Sequence, residues 1–75
     1  MNYDLAMMAL EGIARAPITV RSDSNGVVIE ASPNSMKELA RLMLLLGGAQ
    51  AGETFELKPP VHAREGSSVL TLRVI

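Results

Sequence analysis

Residues 27–48 read VVIEASPNSMKELARLMLLLGG, a short apolar strand followed at once by a capped helix. Ser32 is a good N-cap residue, and Pro33 suits the first helical position because a missing N–H costs nothing there. Ser35 followed by Glu38 offers a capping box as an alternative start. Gly47 and Gly48 supply the C-terminal stop. The stretch therefore predicts a helix over residues 33–46.

The apolar residues of this helix cover more than one face. One stripe follows helical spacing and comprises Met36, Leu39, Ala40, Met43 and either Leu46 or Gly47. Leu42, Leu44 and Leu45 lie partly outside it, and a helix that is apolar over so much of its surface needs cover on more than one side. Either the N-terminal helix or a second subunit could provide that cover. We therefore expect Leu42, Leu44 and Leu45 to form a dimer interface if the first helix does not bury them.

A β-hairpin precedes the helix, over residues 17–32. Asn25-Gly26 is a strong signal for a two-residue type I′ turn, which needs positive φ at both positions. The corresponding register pairs Val20 with Ala31, Ser22 with Ile29, and Arg21 with Glu30. It collects the apolar side chains on one face and leaves Arg21 and Glu30 as a charge pair on the other.

The remaining elements complete an α-β-β-α-β-β order. Tyr3, Ala6, Met7, Leu10, Ile13 and Ala14 follow helical spacing over residues 3–14, and Pro17 ends that helix. Alternating residues predict strands over 54–58 and 68–75. We expect one α+β domain over residues 1–75, with an N-terminal helix and a ββαββ unit over about 17–75. Its four strands should form a mainly antiparallel sheet with the helices packed on one face.

The outward face of that sheet should be polar, as is usual for an antiparallel sheet with one face in water. It would carry Arg21, Glu30, Glu56, Lys58, Thr71 and Arg73. A loop with His62 and Arg64 lies between the last two strands. The charged residues of this face and the loop are our candidate partner-binding residues.

Composition argues against several classes of function. The chain of 75 residues has no Cys, a single His and a net charge of −1. Zinc frameworks and thiol chemistry need cysteines, and nucleic-acid binding usually needs a basic surplus. His62 has no nucleophile or orienting acid at a recognisable spacing, and the serines fit turns and caps. We expect no catalytic residues, no metal, no cofactor and no nucleic-acid partner.

The chain also lacks signals for a membrane or for export. Its longest apolar run, residues 42–49, is far too short to span a bilayer. The N-terminal residues include Asp4 and Glu11 and do not have the basic start and apolar stretch of a signal peptide. We expect a cytoplasmic protein without membrane contact.

Four segments carry a resemblance to a known family. They are residues 29–33 (IEASP), 36–42 (MKELARL), 52–57 (GETFEL) and 66–72 (GSSVLTL). Together they resemble immunity protein family 32 of the polymorphic-toxin immunity proteins, over about residues 27–74. The resemblance implies a small bacterial protein that binds and inhibits a cognate toxin, without cofactor or reaction.

Two functional hypotheses follow. The first is a non-catalytic protein-binding domain, an immunity-like or antitoxin-like inhibitor of a bacterial toxin. The second is a structural homodimer that uses the Leu-rich helix as its interface. Five methionines in so short a chain also suggest an adaptable interior or contact surface.

Overall fold

A computed structural model describes residues 1–75 and shows an α+β fold in the predicted order. The elements are α1 (Tyr3–Arg15), β1 (Thr19–Asp23), β2 (Gly26–Glu30), α2 (Pro33–Leu46), β3 (Thr54–Leu57) and β4 (Leu70–Arg73). Neither helix combines the length and apolar character needed to cross a membrane.

The first helix, α1, begins where the Asn2 side chain accepts a hydrogen bond from the Leu5 N–H, at 3.1 Å. It ends at Arg15 because Ala16 leaves helical geometry before Pro17. Its buried face consists of Ala6, Ala9, Leu10, Gly12 and Ile13. Tyr3 and Met7, which helical spacing placed on the apolar face, are exposed.

The second helix, α2, has the predicted bounds, and its N-cap is Ser32, whose hydroxyl accepts from the Ser35 N–H at 3.1 Å. Its buried face differs from the predicted stripe. The buried residues are Ser35, Leu39, Leu42 and Leu46, whereas Met36, Ala40 and Met43 are exposed. The reason is that α1 packs on the side of the helix where Leu42 lies, which turns the methionines towards solvent.

The four strands form two separate two-stranded antiparallel sheets, β1-β2 and β3-β4, so the expected single four-stranded sheet is not confirmed. The second edge of β1 is occupied by the loop before β4. Ile18 donates to the His62 carbonyl at 3.1 Å and accepts from the Arg64 N–H at 2.7 Å. The Ser68 N–H then donates to the Val20 carbonyl at 2.9 Å. Since this loop fills the place next to β1, neither β3 nor β4 can pair there.

The β1-β2 register is also shifted by two residues from the prediction. Val20 lies opposite Ile29, Arg21 opposite Val28, and Asp23 opposite Gly26. Ser24 and Asn25 form the loop, and neither has positive φ, so the turn is not type I′. The Asp23 carboxylate accepts from the Asn25 N–H at 2.7 Å and holds this turn instead. A shift of two residues leaves every side chain on its predicted face.

Both helices and both hairpins contribute to one aliphatic core. Ten buried residues form it: Ala6, Ala9, Leu10, Ile13, Ile18, Val20, Leu39, Leu42, Leu57 and Ala63. Phe55, Leu70 and Leu72 pack against this cluster from the second hairpin. The shared core fixes both hairpins relative to the helices and leaves their outer faces in solvent.

Candidate functional site

The predicted partner-binding residues lie in three separate places. Arg21 and Glu30 are on the outer face of β1-β2, and Glu56 and Arg73 are on β3-β4. Lys58 follows β3, and His62 and Arg64 belong to the loop beside β1. All are exposed except His62, which is half-buried. Because the strands form two sheets, these residues do not share the single polar face that was predicted.

The outer face of β1-β2 carries an ion pair beside an exposed valine. Arg21 Nη2 lies 2.8 Å from Glu30 Oε1, which confirms the predicted charge pair, although the two residues are diagonal neighbours. Val28 lies directly opposite Arg21 and is 48% exposed. Both charged side chains are more than half exposed, so the ion pair adds little stability and mainly fixes the two side chains. We call Arg21, Val28 and Glu30 the hairpin patch.

The strand that carries Val28 and Glu30 also has an open edge. The backbone groups of Ile18 and Val20 point to the loop before β4, so those of Thr19 and Arg21 point to β2. In the observed register this alternation turns the backbone N–H and C=O groups of Val27 and Ile29 away from β1. No backbone hydrogen bond reaches β2 from any element other than β1.

The second hairpin carries a weaker arrangement of charges. Glu56 lies opposite Thr71, and Arg73 lies opposite Thr54. Arg73 Nε donates to Thr54 Oγ1 at 3.3 Å, and no ion pair forms between Glu56 and Arg73. Glu56 therefore has no charged partner, and Arg73 is held only by the Thr54 hydroxyl.

The loop with His62 and Arg64 is held firmly against β1. Besides the backbone bonds to Ile18, Arg64 Nε donates to the Pro17 carbonyl at 3.4 Å. The His62 N–H donates to the Lys58 carbonyl at 3.2 Å. Burial lowers the pKa of His62 below its ordinary value of 6.5, so the neutral imidazole is favoured in the folded chain.

Another hydrogen bond ties α1 to the segment before β3. The Tyr3 hydroxyl donates to the Glu53 carboxylate. This hydrogen bond, with burial and the negative charge of Glu53, raises the pKa of Tyr3 above its usual range. The contact explains why Tyr3, predicted to be in the core, lies at the surface with its hydroxyl bonded. No three His, Asp or Glu side chains converge in a way that could hold a metal ion.

The three leucines proposed for a dimer interface differ in how deeply they are buried. Leu42 is fully buried in the core beneath α1 and is not available to a second subunit. Leu45 is half-buried against the same core, and Leu44 is 80% exposed. The N-terminal helix thus provides the cover for Leu42 that the sequence had left open.

A groove that the sequence did not predict lies between α2 and β4. It has a volume of about 450 Å³ and is lined by Met43, Leu46 and Gly47 of α2 and by residues 71–74. Met36, Ala40 and Met43 form an exposed strip on this helix, which we call the methionine flank. Their spacing of four and three residues predicts a buried stripe, whereas the structure leaves all three exposed.

Comparisons with known proteins do not assign this chain to a family. No protein-family model, no curated protein sequence and no solved structure matches it.

Proposed function

We propose that the protein is a non-catalytic protein-binding domain that inhibits a bacterial toxin in the manner of an immunity protein. The hairpin patch carries the proposal: an exposed Val28 between two fixed charges, on a strand whose backbone edge is unpaired. The segment that resembles immunity protein family 32 begins at Val27 and so includes this strand.

The patch has the components of a protein-binding surface. Protein interfaces commonly place an apolar centre within a polar rim, and Val28 with Arg21 and Glu30 matches that order on a small scale. The outward N–H and C=O groups of Val27 and Ile29 can add a strand from a partner. Natural proteins usually protect such edges, and an unprotected edge with exposed valines favours a partner that covers it.

Binding of this kind inhibits by occupying the partner's surface and requires no reaction. The hairpin is fixed to the core through Ile18 and Val20, so it is presented to a partner in one conformation. Preorganisation of this type reduces the entropy lost on binding. The charges on β3-β4 and in the His62 loop lie outside the hairpin patch, and the proposal does not require them.

The test compares two variants that each introduce a glutamate at an exposed apolar residue. Val28→Glu disrupts the hairpin patch, whereas Leu44→Glu changes α2 on the opposite side from its buried face. Both new carboxylates have an arginine close by, Arg21 and Arg41 respectively, so neither should unfold the chain. Tagged wild type and variants are used to retain proteins from an extract of the source organism.

We expect one stoichiometric partner that wild type and Leu44→Glu retain and that Val28→Glu loses. Truncation of a hot-spot residue at the centre of an interface costs ~2 kcal/mol or more, so affinity should fall about 30-fold or more if Val28 is the apolar centre. That partner, expressed alone, should arrest growth, and co-expression of wild type but not Val28→Glu should restore it. Equal retention by both variants would rule out the hairpin patch, and a harmless partner would rule out the inhibitor role.

A further inference from the structure

The outer edge of β4 is open along its length. The Val74 N–H donates to the Glu53 carbonyl at 2.9 Å, so Val74 belongs to the residues that hydrogen bond towards β3. Because antiparallel strands alternate, Leu72 and Leu70 share that orientation, while the backbone groups of Thr71 and Arg73 face outward. No backbone hydrogen bond from another element reaches these two residues.

The open edge runs beside the groove and the methionine flank. Residues 71–74 line one side of the groove, and Met43 and Leu46 line the other. Met36 and Met43 of the flank are 44% and 45% exposed. The other open edges, of β2 and β3, have no such groove beside them. An unpaired strand next to an apolar helix flank is therefore specific to β4.

We propose that two copies of this chain associate by antiparallel pairing of β4 with β4, which forms a continuous four-stranded sheet around a two-fold axis. This surface is separate from the hairpin patch, and the inference does not depend on the proposed inhibitor function. A two-fold interface requires a surface that is complementary to itself. The sequence of β4 meets this requirement when the strand pairs with itself about Leu72.

The favoured register is centred on Leu72. It pairs Thr71 of each copy with Arg73 of the other, and the outward backbone groups of these residues form four hydrogen bonds. A register centred on Arg73 would place the two arginines opposite each other, which is destabilising. A register centred on Thr71 would place each Arg73 opposite Val69.

The same register also pairs apolar residues with each other. On the outer face it brings Val69, which is exposed, opposite Ile75 of the second copy, and such β-branched pairs stabilise a sheet. On the inner face it brings Leu72 opposite Leu72 and Leu70 opposite Val74. All three of these residues are only half-buried in the single chain.

The helices would come together over the joined strands. A two-fold axis perpendicular to the sheet keeps the inner faces of both copies on the same side, so the two α2 helices lie side by side. The methionine flank faces the β4 side of its helix, as the presence of Met43 in the groove shows. The two flanks then face each other, and methionine side chains adapt well to such a contact.

The discriminating variants are at Thr71, which has a different neighbour on each side. Within its own chain it lies opposite Glu56, and across the proposed interface it lies opposite Arg73. Thr71→Lys should therefore help the fold of the single chain and oppose dimerisation, whereas Thr71→Glu should do the reverse. Loss of association in Thr71→Lys could not then be attributed to unfolding.

Sedimentation equilibrium over a concentration series measures the association. We expect wild type to dimerise reversibly and Leu44→Glu to match it. The new cross-strand charge pair occurs twice in the dimer, so the dissociation constant should rise roughly threefold to tenfold for Thr71→Lys and fall by a similar factor for Thr71→Glu. A wild type that stays monomeric at every concentration, or equal effects of the two variants, would overturn the proposal.

Amide hydrogen exchange locates the interface independently. The amides of Thr71 and Arg73 should gain protection as the concentration rises, while those of Val27 and Ile29 should not. Protection that appears at Val27 and Ile29 instead would show that the copies pair through β2 and would refute the assignment to β4.

Discussion

Ser35 joins the start of α2 to the end of α1 through a buried hydrogen bond. Its hydroxyl donates to the Ala16 carbonyl at 2.6 Å, and the residue is fully buried. Ala16 is the C-cap of α1 and precedes Pro17, so its carbonyl lies beyond the helical hydrogen-bond ladder. Ser35→Ala keeps the Cβ, removes the donor and leaves this carbonyl with no other hydrogen-bond partner in the chain.

The expected loss of stability follows from two changes that Ser35→Ala makes. A buried polar group left without its partner costs ~1–3 kcal/mol. The higher helix propensity of alanine offsets up to ~0.5 kcal/mol of this. The free energy of unfolding should therefore fall by ~0.5–3 kcal/mol, which lowers Tm by roughly 2–24 °C in a domain of this size.

Urea unfolding followed by circular dichroism measures this difference, with Ser24→Ala as the matched control. Ser24 lies exposed in the turn between β1 and β2, so its substitution should change stability by less than ~0.5 kcal/mol. The urea m value should be the same for all three proteins. A change below ~0.5 kcal/mol for Ser35→Ala, or an equal loss for Ser24→Ala, would refute the role given to this hydrogen bond.

Three further predictions concern packing and protonation. Leu42→Ala should cost ~2–5 kcal/mol because Leu42 is fully buried, whereas Leu44→Ala should stay within ~0.5 kcal/mol; the same urea series compares them. Gly12→Ala should not show the ~1 kcal/mol gain in stability expected from helix propensity, since its Cβ would lie 2.9 Å from Glu38 Cγ. The double variant Gly12→Ala/Glu38→Ala should be more stable than Gly12→Ala. If stability does not recover in the double variant, the clash is contradicted. An NMR titration should give His62 a pKa below 6.5. The unfolded chain then binds the proton more readily than the folded chain does. The contribution of neutral His62 to the free energy of unfolding should therefore be present above the unfolded pKa and be lost as pH falls through the folded pKa. His62→Gln should remove that pH dependence.

The elements that sequence predicted best are those with local signals. The bounds of α2 follow from Ser32 and Pro33 at its start and from the glycine pair after it. The end of α1 follows from Pro17 in the same way. These signals act through neighbouring backbone groups, so a single sequence contains all the information that they need.

The errors arise where two arrangements satisfy the same hydrophobic pattern. Asn25-Gly26 is a good type I′ turn, but the Asp23 carboxylate stabilises a turn one residue earlier. The four strands could have formed a single sheet, but the loop around Ala63 pairs with the free edge of β1 and prevents it. Neither choice can be made from hydrophobic alternation, because both registers keep the same residues inside.

The candidate surfaces were likewise predicted correctly in part and wrongly in part. The charged residues were correctly expected at the surface because ionised groups are rarely buried without partners. The apolar surface was assigned to the wrong side of α2, since Leu42 and Met43 are adjacent and both fit an apolar helix. Packing by α1 selects Leu42 for the core and leaves Met43 beside the groove.

The loop beside β1 determines which strand edges are left for binding. Because it covers β1, the edges of β2, β3 and β4 stay unpaired, and those of β2 and β4 carry the two proposed binding surfaces. One is flanked by the ion pair of the hairpin patch, and the other by the methionine flank. Charges around a small apolar centre suit a specific partner, whereas a larger apolar flank suits a contact between identical copies. Val28→Glu and Thr71→Lys should therefore act independently: the first should abolish partner retention with dimerisation unchanged, and the second should weaken dimerisation with partner retention unchanged.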